Sequence, residues 1–357
     1  MSIENHRDAI NDIDAKIIEL INDRTSHVIE IGKIKHVTSS PIYNPKREKE
    51  ILERIEKLSQ GKKFPVPVLR MIFREIMSAS REIERPLSVA YLGPEGTFTH
   101  NAAINQFGSS TTFTPLKTIG DVFKEVEVAK YDYGVVPIEN SNEGAVNHTL
   151  DMFINSNLKI RAETYLGIHH CLLSSSDDIK SIKKIYSHPQ SFGQCRLWIL
   201  NNFPNAELIE STSNSEAAKV SAWDKYGAAI AGKINAELYG LTVIAENIED
   251  NPENYTRFLT IGHEDSEPSQ DDKTSLIVAI KDKPGALQSV LSVFSTRNIN
   301  MNKIESRPTK KKAWEYLFYI DIDGHREDTN IIETLKDLEA HTTFLKVLGS
   351  YPKMKIF

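Results

Sequence analysis

Residues 3–37, IENHRDAINDIDAKIIELINDRTSHVIEIGKIKHV, carry a stripe at alternating steps of four and three: Ile3, Arg7, Ile10, Asp14, Ile17, Ile21, Arg24, Val28, Ile31 and Lys35. That spacing predicts one long helix, with the stripe as the face it buries. Six of the ten positions are apolar and four are charged. A solvated helix edge accounts for any single charge, but four in one register on a buried face are costly unless something pairs with them. Their excess is cationic, which points to an anionic ligand. Arg24 and Lys35 stand about three turns apart, roughly 16 Å along the axis, so two long side chains leaning inward can grip a small dianion. Arg7 lies about 25 Å before Arg24 on a straight helix, too far to share that ligand within one chain. A second copy packed antiparallel can supply it, so the stripe itself asks for a homodimer.

Outward from this helix, Ser39-Ser40-Pro41 breaks the chain, and Asn44-Pro45 starts a second helix with Pro in its first turn, expected to bury Ile51, Ile55 and Leu58. Gly61, Pro65 and Pro67 mark a turn into a third helix, which carries Leu69, Phe73, Ile76 and Ser80 towards Arg85-Pro86. One long and two shorter helices bury too little within one chain, a second reason for a homodimer. At Leu87 the character changes. Short apolar runs at residues 89–92, 133–138, 166–173, 184–187, 228–231 and 258–261 alternate with helical stretches, the pattern of α/β layers. Polar groups directly follow several of these runs, where open α/β sheets place ligands. Residues 262–272, GHEDSEPSQDD, read as a polar, acidic linker. Beyond it, strand 274–280, helix 285–297, strands 301–307 and 316–323, helix 330–340 and strand 343–350 give the βαββαβ order of a ferredoxin-like plait. The expected domains are therefore 1–86, 87–262 and 274–357.

At 357 residues the chain exceeds a single core. No stretch approaches the roughly 18 apolar residues of a membrane span, and the start lacks the apolar core of a secretory leader, so a cytoplasmic location is expected. Cys171 and Cys195 are far apart and unpaired in spacing, against a disulfide framework or structural zinc. His169-His170-Cys171 invites a metal reading, but neighbours on a strand point to opposite faces and no second ligand pair is evident; no metal is expected. The net charge of −6 gives no support to a nucleic-acid partner. Residues 1–85, with 16 Lys and Arg against 14 Asp and Glu, are the part suited to anions.

The basic stripe continues into Arg47 and Glu48 at the start of the second helix and into Ser80 and Glu84 at the end of the third. This arrangement resembles the all-helical chorismate mutases over residues 4–84. The resemblance implies the pericyclic rearrangement of chorismate to prephenate, which needs no nucleophile and no cofactor, only a compact conformer and donors aimed at charge developing on the ether oxygen. By that resemblance Arg24 and a second copy's Arg7 bind the two carboxylates and Arg47 adds positive charge. Lys35 donates to the ether oxygen, Glu48 accepts from the ring hydroxyl and Ser80 seats a carboxylate. Enterobacterial members carry Asp at the position of Asn44 and Gln at that of Glu84. The first difference matters little if only the backbone N–H is used. The second matters more, because a carboxyl donates to an ether oxygen only when protonated. The mutase rate is expected to fall with rising pH more than in a Gln-bearing relative. Glu84→Gln should flatten that pH–rate profile, and an unchanged profile would refute the assignment.

In the middle region, Gly93-Pro94-Glu95-Gly96-Thr97-Phe98 directly follows a strand. Val135-Val136-Pro137-Ile138-Glu139-Asn140-Ser141 ends an apolar strand in polar residues ahead of Gly144 and a helix. The run from Ser187 through His188, Gln190 and Gln194 to Cys195 repeats the design, and Glu210-Ser211-Thr212-Ser213-Asn214 again offers hydroxyls and N–H groups to an anion. Asn254-Tyr255-Thr256-Arg257-Phe258 completes the set. Together these resemble the prephenate dehydratases over about residues 87–262, the Thr256-Arg257-Phe258 triplet and residues 137–141 most specifically. The resemblance implies two α/β lobes closing over a cleft, like periplasmic binding proteins, and loss of the ring hydroxyl and ring carboxylate of prephenate to give phenylpyruvate. It makes Thr256 the group that assists the departing hydroxyl, with Glu139, Asn140 and Gln194 beside it. Thr97, Ser187 and Ser211 touch substrate, and Arg257 orders the site. Threonine is far too weak an acid to protonate alone at neutral pH, so a donor role, relayed from Glu139 or water, is physically easier.

Lys283-Pro284-Gly285-Ala286-Leu287 opens a helix in the last unit, and Glu305-Ser306-Arg307-Pro308 closes a strand. Both resemble the ACT regulatory domain, which implies phenylalanine binding at a dimer interface. Gly285 with Ala286 and Leu287 would let backbone approach the amino acid, and Glu305, Ser306, Arg307 and Pro308 would form the facing wall; Gln288 replaces the usual valine. The whole expectation is a multidomain chain, all-α, then two-lobed α/β, then α+β ferredoxin-like, that turns chorismate through prephenate into phenylpyruvate under L-phenylalanine feedback. Arogenate dehydratase activity and a non-catalytic sensor of aromatic amino acids are the readings that share these parts.

Overall fold

In a computed structural model, which describes residues 2–38, 40–281, 283–308 and 316–354, the chain forms two compact units: residues 1–87 with 107–112, and residues 88–106 with 113–357. The first holds α1 (Ile3–Thr38), α2 (Pro45–Ser59) and α3 (Val66–Glu84). Of the expected break at 39–41, Ser39 lies outside the described residues. Helix α2 starts where Asn44 accepts the Arg47 backbone N–H, 3.1 Å, ahead of Pro45 in the first turn. Leu52, Ile55 and Met77 form the small core, with Ile51, Leu69 and Phe73 packed against it. Leu58, expected inside, is 65% exposed. Leu52, Ile55 and Ser59 share the buried face of α2, and Leu58 falls beside it. Of the α1 stripe only Val28 is buried, while Ile3, Ile10 and Ile17 expose 73%, 56% and 48% of their surface. This long apolar face of α1 stands open.

The second unit runs through β1 (Ser88–Leu92), α4 (Phe98–Phe107), β2 (Thr112–Leu116), α5 (Ile119–Glu127), β3 (Tyr133–Asn140), β4 (Gly144–Ala145), α6 (Asn147–Asn155) and β5 (Lys159–Gly167). It continues through β6 (Cys171–Ser174), β7 (Lys184–Ser187), α7 (Pro189–Gln194), α8 (Arg196–Asn202), β8 (Glu207–Glu210), α9 (Asn214–Ser221), β9 (Gly227–Ala231), α10 (Ile234–Tyr239), β10 (Thr242–Ala245) and β11 (Tyr255–Gly262). Two sheets result. The first has the order β2-β1-β3-β11-β5 with β4 on β3, and the second the order β10-β6-β9-β7-β8. These are the two α/β lobes. The apolar run 166–173, expected as one strand, is divided between them: β5 ends at Gly167 in the first sheet and β6 begins at Cys171 in the second. Residues 168–170 therefore cross between lobes, and 246–254 cross back. The crossings are tied by Ile168 N–H to Asn254 O, 2.7 Å, and Ile248 N–H to His170 O, 3.0 Å. Ile168 is buried like the strands on either side, which is why hydrophobicity hid the break. His169 and His170 thus lie on a crossing, not on a strand.

Gly96 shows how the lobes meet. At φ +82° it holds a conformation that favours glycine, and a Cβ there would collide with Asn235 Oδ1 and Ser215 Oγ of the second lobe. Asn235 Nδ2 donates to Gly96 O, 2.9 Å, and Ser215 Oγ donates to Glu95 O. The Gly93–Phe98 loop of the first lobe is thereby clasped by α9 and α10 of the second.

The plait follows: β12 (Asp272–Ala279), α11 (Ala286–Thr296), β13 (Met301–Pro308), β14 (Tyr316–Asp323), α12 (Thr329–His341) and β15 (Phe344–Pro352), in an antiparallel sheet of order β13-β14-β12-β15. The stretch expected as a linker is tied down. Ser266 is buried and donates to Arg161 O, 2.8 Å, while the Arg161 guanidinium donates to Asp265 O and His325 Nε2 lies 3.1 Å from Ser266 O. These polar groups are satisfied by partners far away in sequence. Strand β15 runs so close to β5 that a Cβ on Gly349 would strike Ile160 O.

Candidate active sites

In the helical unit a cavity of about 380 Å³ is lined by Arg24, His27, Val28, Ile31 and Lys35 of α1, by Asn44, Arg47, Glu48 and Ile51 around the start of α2, and by Met77, Ser80, Arg81 and Glu84 of α3. Six of the seven side chains expected from the stripe and its continuation meet there; Arg7 does not line it. Lys35 Nζ lies 2.9 Å from Glu84 Oε2 and 3.1 Å from Ile42 O. Arg24 donates to Ser80 Oγ, which itself donates to Ile76 O, 2.7 Å. Burial lowers the Arg24 pKa from its ordinary value, and the like charge of Arg47 lowers it further against the pull of Glu84. An anion bound between the two guanidinium groups relieves both costs.

Arg81 is the residue that sequence reasoning missed. It is buried, ion-pairs with Glu48 and donates to Phe107 O. Burial pushes the Glu48 carboxyl above its ordinary range, against the opposing pull of Arg81 and Arg74. The signal was present, since Arg81 stands four residues after Met77 on the inward face of α3.

In the second unit a cavity of about 560 Å³ opens between the lobes. The first lobe contributes Gly96–Thr99, Pro137, Asn140, residues 143–146, Thr256 and Phe258. The second contributes His188, Gln190, Ser191 and Gln194 at α7 and Thr212–Asn214 before and at α9, and the crossing adds Ile168 and His170. Of the expected residues, Thr97, Asn140, Gln194 and Thr256 line it. Glu139, Ser187, Ser211 and Arg257 do not. Adjacent residues on a strand point to opposite faces, so with Asn140 and Thr256 facing the cavity, Glu139 and Arg257 face away. Glu139 pairs instead with Lys303 of β13, 2.8 Å. Ser187 is fully buried, donating to Ile230 O at 2.9 Å.

Asn140 organises this cavity. Its Oδ1 accepts the backbone N–H groups of Asn142 and Glu143, both 3.0 Å, which fixes Nδ2 as the donor end. Nδ2 donates to Asn254 Oδ1 and to Thr256 Oγ1, both 2.8 Å. Because Thr256 Oγ1 accepts from Asn140, its own proton is free to point elsewhere. Among the described lining residues there is no Lys or Arg. Carboxylates there must be met by amides, hydroxyls and the N–H groups at the start of α9, where Ser213 is the N-cap. Asn214 Oδ1 accepts from His188 N, 3.2 Å, and Ser191 Oγ, 3.0 Å, joining the two helix starts. His188, Ser191 and Asn214 line the cavity too, in polar runs whose sequence does not distinguish them from their neighbours.

Arg257 belongs to a buried ionic network that joins the strands of the first lobe to the plait. Its guanidinium reaches Glu163 Oε2, 2.8 Å, Asp321 Oδ2, 2.6 Å, and Tyr351 OH, 2.8 Å, while Lys273 Nζ pairs with Glu163, 2.8 Å. Burial opposes the Arg257 charge, but Asp321, Tyr351 and Glu163 override it and hold its pKa well above the ordinary value. In the plait, Gly285 turns into α11 at φ +79°, Ala286 is buried, Leu287 half-buried and Gln288 exposed. On the edge strand β13, Glu305 and Arg307 are half-buried and Ser306 and Pro308 exposed, so the expected wall is split between two faces. Arg307 pairs with Asp151 of α6, 2.7 Å.

Family models match in the order type II chorismate mutase at residues 6–85, prephenate dehydratase at 89–266 and ACT domain at 274–340. A bifunctional chorismate mutase/prephenate dehydratase of Aquifex aeolicus is 47% identical over 350 residues, covering 97% of each chain. One from Neisseria gonorrhoeae is 45% identical over 97% of this chain and 96% of its own. Among solved structures, the prephenate dehydratase of Arthrobacter aurescens in complex with L-Phe superposes with a TM-score of 0.69 at 35% identity, over 75% of this chain and 90% of that one.

Proposed function

The chain belongs to the bifunctional chorismate mutase/prephenate dehydratases, and we propose on that premise how its two cavities divide the work. The helical cavity takes chorismate. Arg24 with Ser80, and Arg7 of a second copy, hold the two carboxylates; Arg47 adds positive potential. Lys35, held by Glu84 and Ile42 O, is positioned to donate to the ether oxygen as the C–O bond breaks, and Glu48, held by Arg81, accepts from the ring hydroxyl. The uncovered apolar stripe of α1 is the surface a second copy would cover, which supports a homodimer.

The interlobe cavity takes prephenate. The observation that carries this reading is the hydrogen-bond chain Asn142/Glu143 N–H to Asn140 to Thr256, which leaves the Thr256 proton free to donate. Donated to the ring hydroxyl, it stabilises that group as the C–O bond breaks. The ring carboxylate leaves as carbon dioxide, its C–C bonding pair completes the aromatic ring as phenylpyruvate, and the departing hydroxide takes a proton from solvent to become water. The apolar side chains of Phe98, Val146, Ile168 and Phe258 favour a flat aromatic product. Glu139 is retained as a relay only through water, since its carboxylate is turned to Lys303. Two buried free cysteines suit a reducing cytoplasm, and no helix among the described residues is long and apolar enough to cross a membrane.

Phenylalanine is proposed as the effector of the plait, bound where Gly285–Leu287 of one copy meets the Glu305–Pro308 strand of another. An effector inhibits only by favouring one state of the assembly over another, so inhibition and a structural response must occur together. Titrating L-phenylalanine while following dehydratase rate and sedimentation should show both changing over the same range. Inhibition with no change in sedimentation or other conformational signal would contradict this.

A further inference from the structure

His170 has no part in the scheme above, yet it is 1% exposed on the wall of the dehydratase cavity. It sits on the first crossing between lobes. Its backbone N–H donates to Glu249 Oε2, 2.9 Å, its carbonyl accepts from Ile248 N, 3.0 Å, and Phe98 packs against the ring edge-on at 5.6 Å between centroids. Nε2 lies 2.8 Å from Gln194 Oε1, whereas Nδ1 is buried without a partner. These two facts select the tautomer. If Nδ1 carried the proton, a buried N–H would be orphaned; with the proton on Nε2, only an acceptor lone pair is left over, and that is the cheaper defect.

We propose that His170 is a positioning residue for dehydration: its Nε2–H donates to Gln194 Oε1 and so holds the Gln194 amide with the NH2 end turned to the bound substrate. The proposal rests on the assignment of this cavity to prephenate. Burial lowers the pKa of the ring, against the opposing influence of Gln194 and Glu249, which favours the neutral form the tautomer requires. Gln194 is anchored through its main chain, its backbone carbonyl accepting from Asp250 N, 2.7 Å. Its amide therefore depends on His170 for orientation rather than for place. In a cavity without lysine or arginine among its described lining, an oriented amide donor matters to a dianionic substrate.

The test is steady-state dehydration of prephenate by the full chain carrying His170→Gln, His170→Asn, His170→Leu, Gln194→Ala, or His170→Leu with Gln194→Ala. His170→Leu is expected to lower kcat about tenfold, more than it raises KM, as the loss of one orienting hydrogen bond allows. His170→Gln, whose amide reaches the Nε2 position, restores most of the rate. His170→Asn, whose shorter amide reaches only the Nδ1 position, does not. The double variant is no slower than Gln194→Ala alone. Losses that multiply in the double variant, or equal rates for His170→Gln and His170→Asn, overturn the proposal. If His170→Leu does not fold, the Gln against Asn comparison decides alone. Wild-type dehydration by Gln194→Ala would instead overturn the assignment of the cavity itself.

Discussion

Lys35→Ala lowers the rate of chorismate rearrangement by on the order of 10²–10³-fold, the effect of removing one preorganised donor from a developing oxyanion, and leaves dehydration of supplied prephenate unchanged. The expectation follows from how the ammonium is held. Glu84 and Ile42 O fix it at 2.9 and 3.1 Å inside a cavity, so no reorganisation is needed when charge appears on the ether oxygen. The ion pair is largely shielded, with side chains 21% and 8% exposed, so truncation also leaves the Glu84 carboxylate uncompensated. A lower melting temperature of the helical unit should accompany the loss of rate. The decline in chorismate absorbance reads the first effect and a thermal melt the second; a mutase rate equal to wild type would remove Lys35 from the mechanism.

Thr256→Val has the converse outcome. The substitution keeps shape and removes only the hydroxyl, so dehydration falls by on the order of 10²–10³-fold while the mutase rate is retained. Asn140 also loses one acceptor for its fixed NH2 group, but Asn254 Oδ1, 2.8 Å, and Tyr255 O, 3.3 Å, remain for its two hydrogens, so that secondary cost is small. Phenylpyruvate formation from prephenate is the readout. Equal loss of both activities would count against two separate sites.

The helical unit was the more legible half because its site is written on one periodicity. Arg24 and Lys35 on the α1 stripe, and Ser80 and Glu84 on α3, are placed by the 3.6-residue repeat alone, and all four line one cavity. Arg81 escaped because its role depends on a partner far away in sequence, Glu48. In the two-lobed region the loops were legible but the choice of residues within them was not. Period-two alternation decides whether Glu139 or Asn140, and Arg257 or Thr256, faces the cleft, and that phase is set by the sheet as a whole. The crossing at 168–170 was invisible for a related reason: an apolar run looks the same whether it stays in one sheet or passes between two. Residues 263–271 do join β11 to β12, but that Arg161 and His325, far away in sequence, hold them in place was not legible from their acidic composition.

The proposed division of labour gives one chain two independent catalytic cavities acting in sequence. Its most direct test is conversion of chorismate to phenylpyruvate by wild type, by Lys35→Ala, by Thr256→Val and by a mixture of the two variants. Wild type should form phenylpyruvate. Lys35→Ala should form it only when prephenate is supplied, Thr256→Val should accumulate prephenate, and the mixture should regain the whole conversion. Failure of the mixture, or loss of both steps in either variant, would contradict the account.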